Sequence, residues 1–252
     1  MEQKFSIPTE IIMLPSKGLL YPESSPLSTG KIEMRYMSAR EEDILTNANF
    51  IRQGTVIDKL LQALIVTPID YNEILVGDKN AILVAARVLG YGKDYSFKYY
   101  DGGIEKEATI DLSKLEDKLL NESLYTKGIN EFSFTLPKSG NTVIFKLLTH
   151  GDEQKIEAEI KGLQKVNPNS STDVTTRLKH IITSIEGKRD QKDIRDFVDN
   201  YLLAPDARAL REYYNQVSPD INLVYIPEDN SYTGEGIAVP ISLNFFWPDS
   251  RV

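Results

Sequence analysis

The stretch Asp94-Tyr95-Ser96-Phe97-Lys98-Tyr99-Tyr100-Asp101-Gly102-Gly103-Ile104 sets the fold class. Tyr95, Phe97 and Tyr99 alternate with Ser96 and Lys98, the period of a strand with one buried face. Asp101-Gly102-Gly103 offers residues that tolerate positive φ, so residues 104–112 return as the partner strand. A second hairpin follows. Phe132, Phe134 and Leu136 alternate, Lys138-Ser139-Gly140-Asn141 turns the chain, and Val143, Phe145 and Leu147 come back. Residues 94–148 therefore read as a small antiparallel sheet.

On both sides of this sheet the hydrophobic period becomes helical. Upstream, Ser38 and Glu41 form a capping box for a helix that Gly54 stops. Thr55 and Asp58 restart the chain for 56–66, with Ile57, Leu60, Leu61, Leu64 and Ile65 as its apolar stripe. Asp70 and Glu73 cap a short turn over 71–75. Asp78 opens 81–89, which is apolar nearly all round and so should be central. Downstream, Thr149 with Asp152 caps 153–166, and a helix over 173–185 is closed by Gly187. Asp190 with Asp193 caps 191–202, and Pro205 starts 205–217. Residues 221–225 and 235–242 read as a last hairpin. The expected class is α+β, with an N-terminal extended arm (1–37) ending in a short strand over 31–37, a small helical cluster (38–93), antiparallel β-hairpins (94–148) and a C-terminal helical unit closed by a terminal β-hairpin (149–252).

The arm is unusual. Pro8, Pro15, Pro22 and Pro26 forbid a long helix, yet Ile11, Ile12, Met13, Leu14, Leu19, Leu20 and Tyr21 are apolar. A floppy tail would be poorer in such residues, so the arm lies on something, either its own domain or a partner. Docking is the expectation for Leu14, Pro15, Lys17, Leu19, Leu20 and Tyr21. It predicts that a chain lacking residues 1–24 folds but fails to assemble. The ending Phe245-Phe246-Trp247-Pro248 is the second candidate contact. Alternation along a strand sends Phe245 and Trp247 one way and Phe246 the other. One face would close the helical unit and the other would meet a partner.

Composition narrows the chemistry. The 252 residues hold 29 Lys+Arg and 37 Asp+Glu, a net charge of −8. That balance argues against nucleic acid as a ligand. With no Cys, disulfides, thiolate metal sites and Cys nucleophiles are excluded. No apolar run approaches the ~18 residues of a membrane span. The stretch MEQKFSIPTEIIMLPSKG has no leader-like apolar region, which leads to the expectation of a cytoplasm-like compartment. Motifs for nucleotide, hydrolase or zinc-protease chemistry are missing. Gly90-Tyr91-Gly92-Lys93 follows a helix and reads as a helix stop. Thr149-His150-Gly151-Asp152 groups triad residue types, but as sequence neighbours at a helix start they suit capping better. His180 reads as solvated or packed. Lys188, Arg189, Lys192 and Arg195 interleave with Asp190, Asp193 and Asp196, the pattern of a salt-bridged helix.

Four blocks, in order, carry a resemblance. Leu14-Pro15-Ser16-Lys17-Gly18-Leu19-Leu20-Tyr21-Pro22 resembles the opening of a baseplate protein family of T-even-type contractile-tailed phages. Met37-Ser38-Ala39-Arg40-Glu41-Glu42-Asp43-Ile44-Leu45 is similar to its next block. So is Leu75-Val76-Gly77-Asp78-Lys79-Asn80-Ala81-Ile82-Leu83, with Arg87 and Tyr91-Gly92-Lys93-Asp94-Tyr95 behind it. Pro240-Ile241-Ser242-Leu243-Asn244-Phe245-Phe246-Trp247-Pro248 resembles the family's ending. The resemblance is close over residues 14–97 and the last dozen, and only in outline between. It implies a non-enzymatic hub subunit or hub-assembly factor, nearer in length to the assembly factors. Its partners would be other baseplate hub or wedge subunits, with neither nucleic acid nor membrane, and it allows an oligomer within the baseplate. The implied location is the virion tail baseplate, or the host cytoplasm during assembly. The alternative is a transient tail-assembly chaperone absent from the finished virion. Relatives place CxxC pairs near Lys98–Gly103 and Tyr225–Asn230, where this chain has no Cys. The expectation is therefore a protein without metal or other cofactor.

Overall fold

The computed structural model describes residues 6–101, 103–167, 172–227, 236–241 and 243–246. Its axis is the helix numbered α4 here (Val76–Tyr91), longer at both ends than the apolar run 81–89. Ala81, Ile82, Leu83, Val84, Ala86 and Leu89 are buried on all its sides. A helix without a polar stripe must be covered all round. The segments before and after it in sequence do the covering, and the architecture is α+β as its alternating periods imply.

The N-terminal segment begins as a ribbon. β1 (Thr9–Met13) pairs antiparallel with β2 (Lys31–Arg35), Ile12 opposite Ile32. Between them the chain does not stay extended. Residues 14–21 coil back through Lys17 and Gly18, both at positive φ. At Gly18 a Cβ would stand 2.4 Å from Ser28 O, so only glycine fits this return. A 3-10 turn over Pro26–Thr29 buries Leu27.

Three helices follow: α1 (Ala39–Leu45), α2 (Ala48–Gln53) and α3 (Val56–Leu64). The single helix expected up to Gly54 is broken at Thr46-Asn47. Asn47 Oδ1 accepts from the N–H groups of Asn49 and Phe50 and caps α2. Asn favours such a cap over a helix interior, because its side chain competes for backbone donors. The Ser38–Glu41 capping box forms, and the Arg35 guanidinium also clasps both oxygens of Glu41 (2.7 and 3.1 Å).

β3 (Asp94–Asp101) and β4 (Ile104–Asp111) make the first hairpin, with Tyr95, Phe97 and Tyr99 buried. β5 (Phe132–Thr135) and β6 (Thr142–Phe145) make the second. The helix expected over 173–185 is corrected: α6 (Asp173–Ile181) ends early and the chain continues as β7 (Ile182–Ile185). β7 pairs with β6 in a three-stranded sheet, order β5-β6-β7. Ile182, Thr183 and Ile185 are β-branched, and a free edge of β6 is better use of them than a further helical turn. α5 (His150–Val166), α7 (Gln191–Asn200) and α8 (Ala204–Val217) complete the second half.

The last hairpin is short. β8 (Val224–Tyr225) pairs with β9 (Ile237–Ala238). Tyr225 packs edge-on against Phe97 (5.7 Å between centroids) and Tyr99 (5.8 Å). The Tyr95 hydroxyl donates to Pro240 O at 2.9 Å. The hairpin thus lies over the buried face of β3. Residues from all these segments form one continuous core. At Gly77 a Cβ would meet Pro219 O at 1.7 Å, so the start of α4 and the turn after α8 touch backbone to backbone.

Phe245 and Phe246 lie in a 3-10 turn (Leu243–Phe246), not a strand. Both are fully buried, Phe245 edge-on to Tyr95 at 4.8 Å. The expected division of these rings between the chain's own helices and a partner is therefore overturned: a tight turn puts both on the core. Trp247 lies outside the described residues. Phe245→Ala and Phe246→Ala should each destabilise by about 3–5 kcal/mol. Urea unfolding checks this; an unchanged midpoint for either would place that ring outside the core.

Candidate functional site

Asp78 is the only carboxylate in the first two turns of α4 and is fully buried. A charge there must be hydrogen-bonded. The arm supplies the donors. Ser16 N reaches Asp78 Oδ1 at 2.9 Å, and Ser16 Oγ reaches Oδ2 at 2.7 Å. The Tyr21 hydroxyl donates to the same Oδ2 at 2.6 Å and accepts from Leu75 N at 2.9 Å. Burial pushes the Asp78 carboxyl above its usual range, against the pull of these donors. Burial, then Asp78, push the Tyr21 phenol up as well, so it stays a donor.

This network corrects the docking expectation for most of the arm. Leu14, Leu20 and Tyr21 are 1–4 % exposed and Pro15 is buried, all within the chain's own core. Leu19 is half-buried. Lys17 alone projects outward, where it meets Glu122 at 2.5 Å. Of the two bearings the sequence left open, the arm takes its own domain. The residues expected to dock are thus spread between core and surface.

A second polar cluster joins four elements. Asp58 of α3 receives Lys79 Nζ of α4 (2.6 Å) and the Tyr71 hydroxyl (2.9 Å) on Oδ1. Lys79 Nζ also lies 3.0 Å from His150 Nδ1, at the start of α5. The His150 ring packs edge-on to Tyr71 at 4.6 Å. Its Nε2 is buried, 3.6 Å from Asp58 Oδ2, with no hydrogen-bond partner among the described residues. Burial first, and Lys79 second, hold the His150 pKa below its ordinary value. The capping expectation is met by its neighbours: Thr149 and Asp152 form a reciprocal capping box on α5.

Other charges are also used in joints. The Arg87 guanidinium donates to Gly92 O (2.7 Å) and Asp94 O (3.1 Å), tying the end of α4 to β3. Asp206 of α8 accepts from the N–H groups of Lys138 and Ser139 in the β5–β6 turn. Glu159 binds Arg195 at both oxygens and His180 Nε2 at 2.9 Å. His180 is therefore held in a side-chain contact with Glu159, and the basic cluster finds its carboxylates on other elements: Arg195 on Glu159, Arg189 on Glu131.

A cleft of about 590 Å³ opens between the start of α4, α6 and α8, and one of about 710 Å³ beside the start of α5. Neither is lined by Asp58, Lys79 or His150, so this cluster does not face a substrate-sized space in them. No group of three or more metal-ligating side chains occurs among the described residues. No helix among them is long and apolar enough to cross a membrane. The sequence missed both polar clusters. The signal for the first was there: Asp78 is the lone acid of a helix that turns apolar nearly all round from Ala81 on, and a buried acid needs a partner. Nothing local marked Asp58 and Lys79 as partners of His150.

Three outcomes follow. Tyr21→Phe leaves Leu75 N without its acceptor and Asp78 short of a donor, and should cost about 1–3 kcal/mol. Loss of residues 1–24 removes Leu14, Leu20 and Tyr21 from the core, so that chain should not keep a cooperative urea transition. For His150, the folded pKa lies below the unfolded one. The unfolded chain takes up the proton first, so stability is full above about pH 6.5 and falls as the pH drops below it. Unfolding measured from pH 7.5 to 5 should show this slope, and His150→Gln should flatten it. An equal slope in both proteins would remove His150 as the cause.

No family model matches the chain, and neither the curated proteins nor the solved structures match it.

Proposed function

We propose that this chain is a non-enzymatic structural or assembly protein of the baseplate hub of a contractile tail, acting through protein–protein contacts. One observation carries the proposal. The sequence blocks that resemble the phage family lie against one another in the fold. Ser16 and Tyr21 of the first block bind Asp78 of the third. Tyr95, at the tail of the third, binds Pro240 and packs on Phe245 of the fourth. The second block follows β2: Met37, its first residue, lies against Gly90 of α4, and Arg35 just before it binds Glu41. The likeness thus falls on one connected framework rather than on scattered surface positions. The use of Thr149, Asp152 and His150 in helix capping and packing favours the same view.

The test is reconstitution. The purified chain is mixed with baseplate hub subunits of a contractile-tailed phage, and complexes are followed by sedimentation. Co-migration with a hub intermediate, or a hub that forms only in its presence, is the expected result. A hub that forms equally well without it, and never binds it, would overturn the proposal. Mass spectrometry of purified particles then separates a resident subunit from an assembly factor that leaves.

A further inference from the structure

The β1–β2 ribbon has two outer edges, and one is closed. Tyr36 N donates to Pro8 O at 3.0 Å, and Leu14 N donates to Gly30 O at 2.9 Å. Bonded and non-bonded pairs alternate along an antiparallel ladder. With this register, Glu10 and Ile12 bond to β2. The N–H and C=O groups of Thr9, Ile11 and Met13 point the other way. On β2 the same alternation turns the backbone of Glu33 outward, and there it is met. Val66 N donates to Glu33 O at 2.8 Å, and Glu33 N donates to Thr67 Oγ1 at 2.7 Å. Among the described residues, nothing meets the outward backbone groups of Thr9, Ile11 and Met13.

The side chains agree with the backbone. Ile11 and Met13 are each 59 % exposed. An open edge is normally blocked by lysine, proline or a bulge. β1 reads Thr-Glu-Ile-Ile-Met, with an unbroken register and with Pro8 and Pro15 only outside it. Its one charge, Glu10, is on the opposite face from Ile11, held by the Tyr36 hydroxyl.

We propose that β1 is a self-association edge, on which a second copy of this chain lays its own β1 antiparallel about a two-fold axis at Ile11. The edge is self-complementary. Its outward residues are Ile11 with one bonding residue on each side, so Ile11 faces Ile11 of the partner subunit and Thr9 faces Met13 of the partner subunit. Every outward N–H and C=O of the three is then satisfied. Ile11 and Met13 of both copies come together on one face. Because β2 is already closed by residues 65–67, the pair leaves no further edge. The product is a closed dimer and not a fibre. Pairing through β1 needs only this chain, so it stands or falls apart from the assembly role.

Sedimentation equilibrium of the full chain, from about 1 to 500 µM at ~0.15 M salt, is the test. The expected mass rises from 28.5 kDa towards twice that value. Hydrogen exchange should show the amides of Thr9, Ile11 and Met13 protected only at high concentration. Those of Ile12 and Leu14 should be protected throughout. Ile11→Pro removes an outward donor that makes no bond to β2, a substitution an edge strand tolerates. It should weaken the dimer at least about tenfold with little change in melting temperature, as should Ile11→Lys with Met13→Lys. A chain that stays monomeric overturns the proposal, also where a synthetic foreign strand binds the edge instead. So does a dimer that neither variant weakens. Should a variant misfold, the amide pattern of the unmodified chain decides alone.

Discussion

A carboxylate sealed from water at Asp78 is the constraint on which the rest of the fold hangs. Its position is set by α4, whose apolar sides require cover in every direction. Once that cover is in place, Asp78 has no solvent, and only protein donors can satisfy it. Ser16 and Tyr21 do so, and for them to reach it the chain must turn back sharply at Lys17-Gly18. That turn carries Leu14 and Leu20 into the core and fixes where β1 can run. The arm is therefore part of the fold's interior for an electrostatic reason as much as a hydrophobic one.

A chain without cysteine has no covalent cross-links, and its joints are polar instead. Arg87 clasps the end of α4, Asp206 holds the β5–β6 turn, and Glu159 gathers α6 and α7 onto α5. The buried ones, Arg87 and Asp206, add less net stability than their bonds suggest, because each loses its hydration. What they add is selectivity among packings: a shifted helix would leave a charge unpaired, at a cost of several kcal/mol.

The sequence made most elements legible, and its errors share a cause. Periodicity found β3–β4 and β5–β6, because their alternating aromatics report a local pattern. Caps found the starts of α1, α5 and α7, because Ser38, Thr149 and Asp190 act within a single turn. The misses needed information from far along the chain. Residues 182–185 become strand because β6 has an edge to fill. Leu14 and Tyr21 go inward because Asp78 waits 57 positions from Tyr21. Apolar residues between prolines suit a docking arm and a core loop equally well, and only the position of their partner decides.

The contact between Tyr95 and Phe245 spans most of the chain, as does the bond from Asn80 to Asp220, 140 positions apart. Closures this long cost chain entropy before any contact repays it, which slows folding. The β3–β4 hairpin must wait, with Tyr95 and Phe97 bare, until Tyr225, Pro240 and Phe245 arrive to cover them. During that interval it offers an apolar sheet face to whatever is near, so the vulnerable species on the way to the native state is this half-covered hairpin.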